Sequence, residues 1–154
     1  MKRGRKWLSL IPLLLATLAL AAACGPSQAE RHVNQGIEFH KQGRLDDALS
    51  EFDRAIELDP KLAKAYSSRG WVYAQRRELD KALADLNRAI ELDPKLARAY
   101  GNRGWVYWQR GELDKALADL DRAIELDPLL AMARAVRALV YQEMAKAPAT
   151  PAKP

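Results

Sequence analysis

Apolar positions along this chain recur at three- and four-residue steps, and the whole pattern returns at a fixed distance. Leu79, Ala82, Leu83, Leu86, Ala89 and Ile90 make one stripe on a helix. Leu45, Ala48, Leu49, Phe52, Ala55 and Ile56 repeat the stripe 34 residues earlier, and Leu113, Ala116, Leu117, Leu120, Ala123 and Ile124 repeat it 34 residues later. A second helical segment precedes each stripe, carrying Tyr66, Gly70 and Tyr73 in one copy and Tyr100, Gly104 and Tyr107 in the next. Glycine inside a helix costs up to about 1 kcal/mol relative to alanine. Its return at one register predicts a close helix–helix approach that a side chain would block.

The segments Gly70–Pro94 and Gly104–Pro128 differ at three of 25 positions, and Gly36–Pro60 keeps 14 of the 25 in the last copy. Identity at that level makes the 34-residue helix pair, not the single helix, the unit of the fold. "ELDP" closes each copy. Asp59, Asp93 and Asp127 are expected to cap the helix that follows, with the proline in its first turn. Gly43 and Gly111 fall between paired helices, where a left-handed residue would end the first one. Arg77 holds that place in the middle copy and would be strained there.

These residues resemble the tetratricopeptide repeat, a 34-residue helix pair with Gly at its eighth position, an aromatic at the eleventh, Ala at the twentieth and twenty-seventh and Pro at the thirty-second. The first copy offers Gly36, Phe39, Ala48, Ala55 and Pro60; the second Gly70, Tyr73, Ala82, Ala89 and Pro94; the third Gly104, Tyr107, Ala116, Ala123 and Pro128. The family's Trp at the fourth position is replaced by His32, Tyr66 and Tyr100. The resemblance implies an all-α fold: three repeats at about 29–62, 63–96 and 97–130 in a right-handed α-solenoid. A capping helix at about 131–146 follows, in which Met132, Leu139 and Met144 stay apolar. The tail 147–154, with three prolines in eight residues, is expected to be extended or disordered.

In this family the first helices line a concave groove that receives a peptide or a partner's helix. The groove-facing places, carried over by register, are Glu30, Val33, Ile37, His40 and Lys41, then Lys64, Ser67, Trp71, Ala74 and Gln75, then Arg98, Gly101, Trp105, Trp108 and Gln109. Lys64, Ser67, Trp71, Gln75, Arg98, Trp105, Trp108 and Gln109 are the candidate partner-binding residues, because tryptophan and arginine are favoured at binding hot spots. Two readings stand for Trp71 and Trp105: groove floor, or core between neighbouring first helices. Trp108 replaces the Ala74 of the sister copy and is expected to be exposed. The clamp by which some family members hold chaperone tails maps to Val33, Ile37, Ser68, Arg98 and Asn102. One basic residue in five argues against that ligand.

Ahead of the repeats, "MKRGRK" and the uncharged run Trp7–Ala23 have the build of a secretory signal over residues 1–23. Cys24 is the single cysteine, which excludes an intramolecular disulfide. Its place after small residues resembles the lipobox of bacterial lipoproteins, with Ala21 where that family usually has Leu. The resemblance implies a lipidated Cys24, a short linker to residue 28 and attachment at the cell envelope, facing the periplasm or exterior. Gly25 in place of Asp implies the outer membrane of a Gram-negative host. A plain signal cut that leaves a free thiol, and a retained anchor helix, are the alternatives. A lipid on Cys24 would hold the repeats close to the bilayer, since five linking residues span at most roughly 18 Å.

Charge changes the picture little. The formal +5 falls by four to +1 once Lys2, Arg3, Arg5 and Lys6 of the leader are set aside, so no nucleic-acid partner is implied. His32 and His40 have no companions at metal-ligand spacing, and neither a phosphate-binding loop nor a nucleophile elbow is present. No metal, cofactor or catalytic residue is expected. The sequence therefore reads as a non-enzymatic scaffold or adaptor for a protein or peptide partner. The alternative is a self-associating assembly module, a homo-oligomer within an envelope complex such as pilus, secretin or cell-wall machinery.

Overall fold

The computed structural model describes residues 25–146. Cys24, the leader before it and the tail after Lys146 lie outside the described residues. Among the described residues seven helices follow one another: α1 Gln28–Lys41, α2 Leu45–Leu58, α3 Ala63–Gln75, α4 Leu79–Leu92, α5 Ala97–Gln109, α6 Leu113–Leu126 and α7 Ala131–Lys146. Among the described residues there is no strand, and no helix is long and apolar enough to cross a membrane. The fold is all-α.

Helices pack as three pairs, α1 with α2, α3 with α4 and α5 with α6; each second helix also meets the next first helix. The first helices α1, α3, α5 and α7 lie in a row. Each stripe is buried as its period requires, with Ala48, Phe52 and Ala55, then Ala82, Leu86 and Ala89, then Ala116, Leu120 and Ala123 at or near zero exposure. The recurring glycines set the spacing within pairs. A Cβ at Gly36 would stand 2.6 Å from Phe52 Cε1, and one at Gly104 would stand 2.7 Å from Leu120 Cγ and 3.1 Å from the Ala116 carbonyl oxygen.

Turns between paired helices are left-handed at Gly43, Arg77 and Gly111, with φ of 76°, 65° and 74°. The aspartates of "ELDP" do not cap the following helix, as the pattern suggested. The residue before a proline is driven out of the helical region. Asp59, Asp93 and Asp127 accordingly sit extended, at φ near −140°, and end the helix before them. Each side chain instead accepts the backbone N–H two residues on, at Lys61, Lys95 and Leu129, over 2.9–3.0 Å. The prolines stand in these turns and not in the first turn of the next helix. Among α1 to α6, α1 alone has a capping box: Ser27 Oγ accepts from the Glu30 N–H, and Glu30 Oε2 accepts from the Ser27 N–H.

A ladder of arginine–carboxylate contacts ties the pairs together. Arg69 on α3 donates two parallel bonds to Asp85 on α4, at 2.7 and 2.8 Å, and reaches back to Asp53 on α2 at 2.6 Å. Arg103 on α5 grips Asp119 on α6 the same way and reaches back to Asn87 on α4 at 2.7 Å. Asp85 and Asp119 are buried, and their hydrogen bonds hold the two guanidiniums more firmly protonated than usual. The first pair substitutes His32, whose Nδ1 lies 2.6 Å from buried Glu51.

Candidate functional site

A pocket of about 330 Å³ opens along the row of first helices. Ile37 and His40 come from α1, Ser68, Trp71 and Val72 from α3, and Arg98 and Asn102 from α5. Phe52 of α2 contributes from below, while Leu130 and Met132 close the pocket from the turn into α7 and from α7 itself. Apolar walls thus meet a short polar edge of Ser68, Asn102, His40 and Arg98. Arg98 is exposed and makes no ion pair among the described residues, so its guanidinium is open to an anion. Asn102 is 4% exposed, and its Nδ2 donates to the Ser67 carbonyl oxygen at 3.4 Å, which spans α3 and α5 and fixes the pocket's back. His40 Nε2 lies 2.8 Å from Gln75 Oε1, so the α1 edge is tied to α3.

Of the eight candidate partner-binding residues, the structure brings Trp71 and Arg98 into this pocket, and of the other groove-facing places it adds Ile37 and His40. Trp71 and Trp105 meet edge to face, with ring centroids 5.1 Å apart, and both are half-buried against the core of Ala74, Ala82, Leu86 and Val106. The two readings of Trp71 therefore hold together: one face packs on its neighbour and another lines the pocket. Trp105 packs against two core clusters and does not line the pocket. Trp108, expected to be exposed, is half-buried, because α7 stacks beside α5 and its Glu143 Oε2 accepts from Trp108 Nε1 at 2.7 Å. Gln109 accepts from Arg77 Nη1 at 2.9 Å, and Lys64 is exposed.

Ser67 is corrected more sharply. It is 2% exposed, and its hydroxyl lacks a partner among the described residues, so a bound peptide cannot reach it. Val33, Ala74 and Gly101, assigned to the groove by the same register, are buried as well. Gly101 lies beneath Leu130 and Met132, which would stand 3.2 Å from a Cβ there. The register marks which way a residue points, but stacking of the next first helix covers several of these positions.

Register alone did not single out Phe52, Val72, Leu130 and Met132. Met132 was within reach, since it holds in α7 the place that Lys64 and Arg98 hold in their copies. Phe52 and Leu130 come from the second helix and the turn, where the register of first helices carries no signal. Among the described residues no group of three or more His, Cys, Asp or Glu is placed to hold a metal ion.

Two family profiles, each described as tetratricopeptide repeat, match residues 33–97 and 69–141, together well over half of the chain. No curated protein matches significantly. Among solved structures, the first tetratricopeptide domain of Spaghetti (RPAP3), bound to the HSP90 peptide SRMEEVD, aligns at a TM-score of 0.70 with 25% identity, over 77% of this chain and 94% of that one. The second such domain of human RPAP3, in complex with the HSP70 peptide SGPTIEEVD, aligns at 0.66 with 25% identity, over 74% and 95%. The Arabidopsis OM64 domain shares the fold, with a TM-score of 0.70 at 23% identity over 75% and 95%.

Proposed function

Because this chain belongs to the tetratricopeptide repeat family, we propose that it is a non-enzymatic scaffold holding an extended peptide in the concave groove of α1, α3 and α5. The observation that carries the reading is the pocket itself, with Trp71 in its wall and the open guanidinium of Arg98 at its edge. The two RPAP3 domains, solved with acidic peptides, support a peptide as the kind of ligand. The chaperone-clamp positions depart from a two-carboxylate clamp, because Val33 is buried and Ile37 is apolar. A fitting ligand offers one carboxylate beside a large apolar side chain, the first to Arg98 and the second to the space between Trp71, Leu130 and Met132.

A peptide array with free and amidated C-termini tests this. Peptides ending in a large apolar residue with a free carboxylate should bind, and Arg98→Ala should weaken them roughly tenfold, the usual scale for one charged hydrogen bond. Trp71→Ala should weaken them too, with helical circular dichroism unchanged. An array that binds nothing, or binds equally well after both substitutions, refutes the reading.

The proposal extends to place. Residues 1–23 serve as the signal, a lipid on Cys24 anchors the chain at the envelope, and the repeats work within the reach of a five-residue linker. Mature protein from membranes should carry the lipid mass on Cys24, and Cys24→Ala should move the chain to the soluble fraction. A wild-type chain found soluble and unmodified would exclude the anchor.

A further inference from the structure

The arginine ladder stops half-made at α7. Arg137 holds in α7 the place of Arg69 and Arg103, and its Nη1 reaches back to Asp121 on α6 at 2.9 Å as theirs reach back. In the inner pairs the other edge of the guanidinium, Nε with Nη2, grips an aspartate sixteen residues on. For Arg137 that residue is Lys153, a cation, and among the described residues no other group fills the edge. The face around it is uncovered too. Tyr141, which stands where Tyr73 and Tyr107 lie against their second helices, is 52% exposed; Leu139 is 42% and Met144 38% exposed. Arg134, Ala135 and Ala138 on the same helix are exposed.

We propose that this outer face of α7 is a docking surface for an acidic amphipathic helix of another protein, which completes a fourth helix pair. The inner pairs show what such a helix must carry: an apolar stripe and, on it, one carboxylate aimed at the guanidinium edge. Charge excludes a second copy's α7 as the occupant. The only acid on α7 is Glu143, already engaged by Trp108, so two such faces would oppose Arg134 and Arg137 to their own kind. Ala147–Pro154, which follow α7, have no acidic side chain to offer the guanidinium. Ala138 refines the specificity. It replaces the glycine whose Cβ would stand 2.7 Å from Leu120 at Gly104 and 3.0 Å from Leu86 at Gly70. The docking helix therefore carries a small residue, not leucine, directly after its carboxylate.

A side-chain-stapled, helical peptide copied from Glu112–Pro128 with Leu120→Ala serves as the probe, titrated by fluorescence anisotropy against the full chain. Saturable binding is expected. Arg137→Ala on the protein and Asp119→Asn in the peptide should each weaken it roughly tenfold. The two together should weaken it no further, since they remove the same bond. Restoring Leu120 in the peptide should weaken binding as well. Trp71→Ala and Arg98→Ala in the concave groove should leave it unchanged, so failure here and failure of the groove reading are separable. No saturation at about 1 mM peptide overturns the proposal. Binding that ignores Arg137 and Asp119 does the same.

Discussion

Arg77 occupies a left-handed turn that its two sister copies give to glycine, at φ 65°. A side chain in that region costs roughly 1 kcal/mol, and the turn is exposed, so glycine would meet no obstacle. Its hydrogen bond to Gln109 is a surface contact of lesser weight. Arg77→Gly should therefore raise the melting temperature by about 4 °C. An unchanged or lowered value would show that the Gln109 contact outweighs the strain. The opposite change belongs at Gly104, where a Cβ would press on Leu120 and on backbone at Ala116. Gly104→Ala should lower stability by about 1–3 kcal/mol in denaturant melts, the usual cost of overpacking. Both features were legible in the chain because each copy repeats the same constraint at the same register, so the recurring glycines marked the close approach and Arg77 stood out against Gly43 and Gly111. The aspartates of "ELDP" misled for a local reason as well. Their identity suited an N-cap, but the proline after them fixed an extended backbone and turned them into the end of the preceding helix.

At the scale of elements, the stripes on α2, α4 and α6 were readable because burial follows helical period. The ladder that joins them was not, because Arg103 finds Asp119 only when two helices fold back on each other. Breaking such a pair leaves a buried carboxylate without its cation, which costs about 3 kcal/mol or more. Arg103→Ala should thus be severe, while Arg122→Ala, which removes an exposed ion pair to Glu125, should leave the urea midpoint almost where it was. Urea titrations of the two variants check the contrast, and similar midpoints for both would mean that Asp119 is hydrated in the folded chain. The groove was half legible for a related reason. Register gave the direction of Trp71 and Arg98. It could not give the cover that α5 lays over Ser67 or that α7 lays beside Trp108, since those depend on the stacking of one pair on the next.

The whole molecule is a row of pairs in which each element meets only its neighbours. Stability in such an array is close to a sum of pair terms and interface terms, so a change at one end should be felt most at that end. The far end here is α7, whose Ala133, Val136 and Val140 are buried against α6 and the aromatic residues of α5. Val136 and Val140 each contribute about 1.5 kcal/mol or more by their burial. A chain ending at Leu130 loses that cover and leaves Trp105 and Trp108 open on one side. Its amides should exchange fastest in α5 and α6, with protection in α1 and α2 nearly unchanged. The front of the array has its own ties, the capping box at Ser27 and the His32–Glu51 contact, and neither touches α7. Hydrogen exchange read by mass spectrometry at peptide resolution decides the matter. A graded loss from the cut end means that the groove can loosen at α5 while α1 and α3 hold, which would let the α5 wall of the pocket move for a ligand. A uniform loss across all helices means instead that the row folds as one unit, and that the pocket around Trp71 is as rigid as the core beneath it.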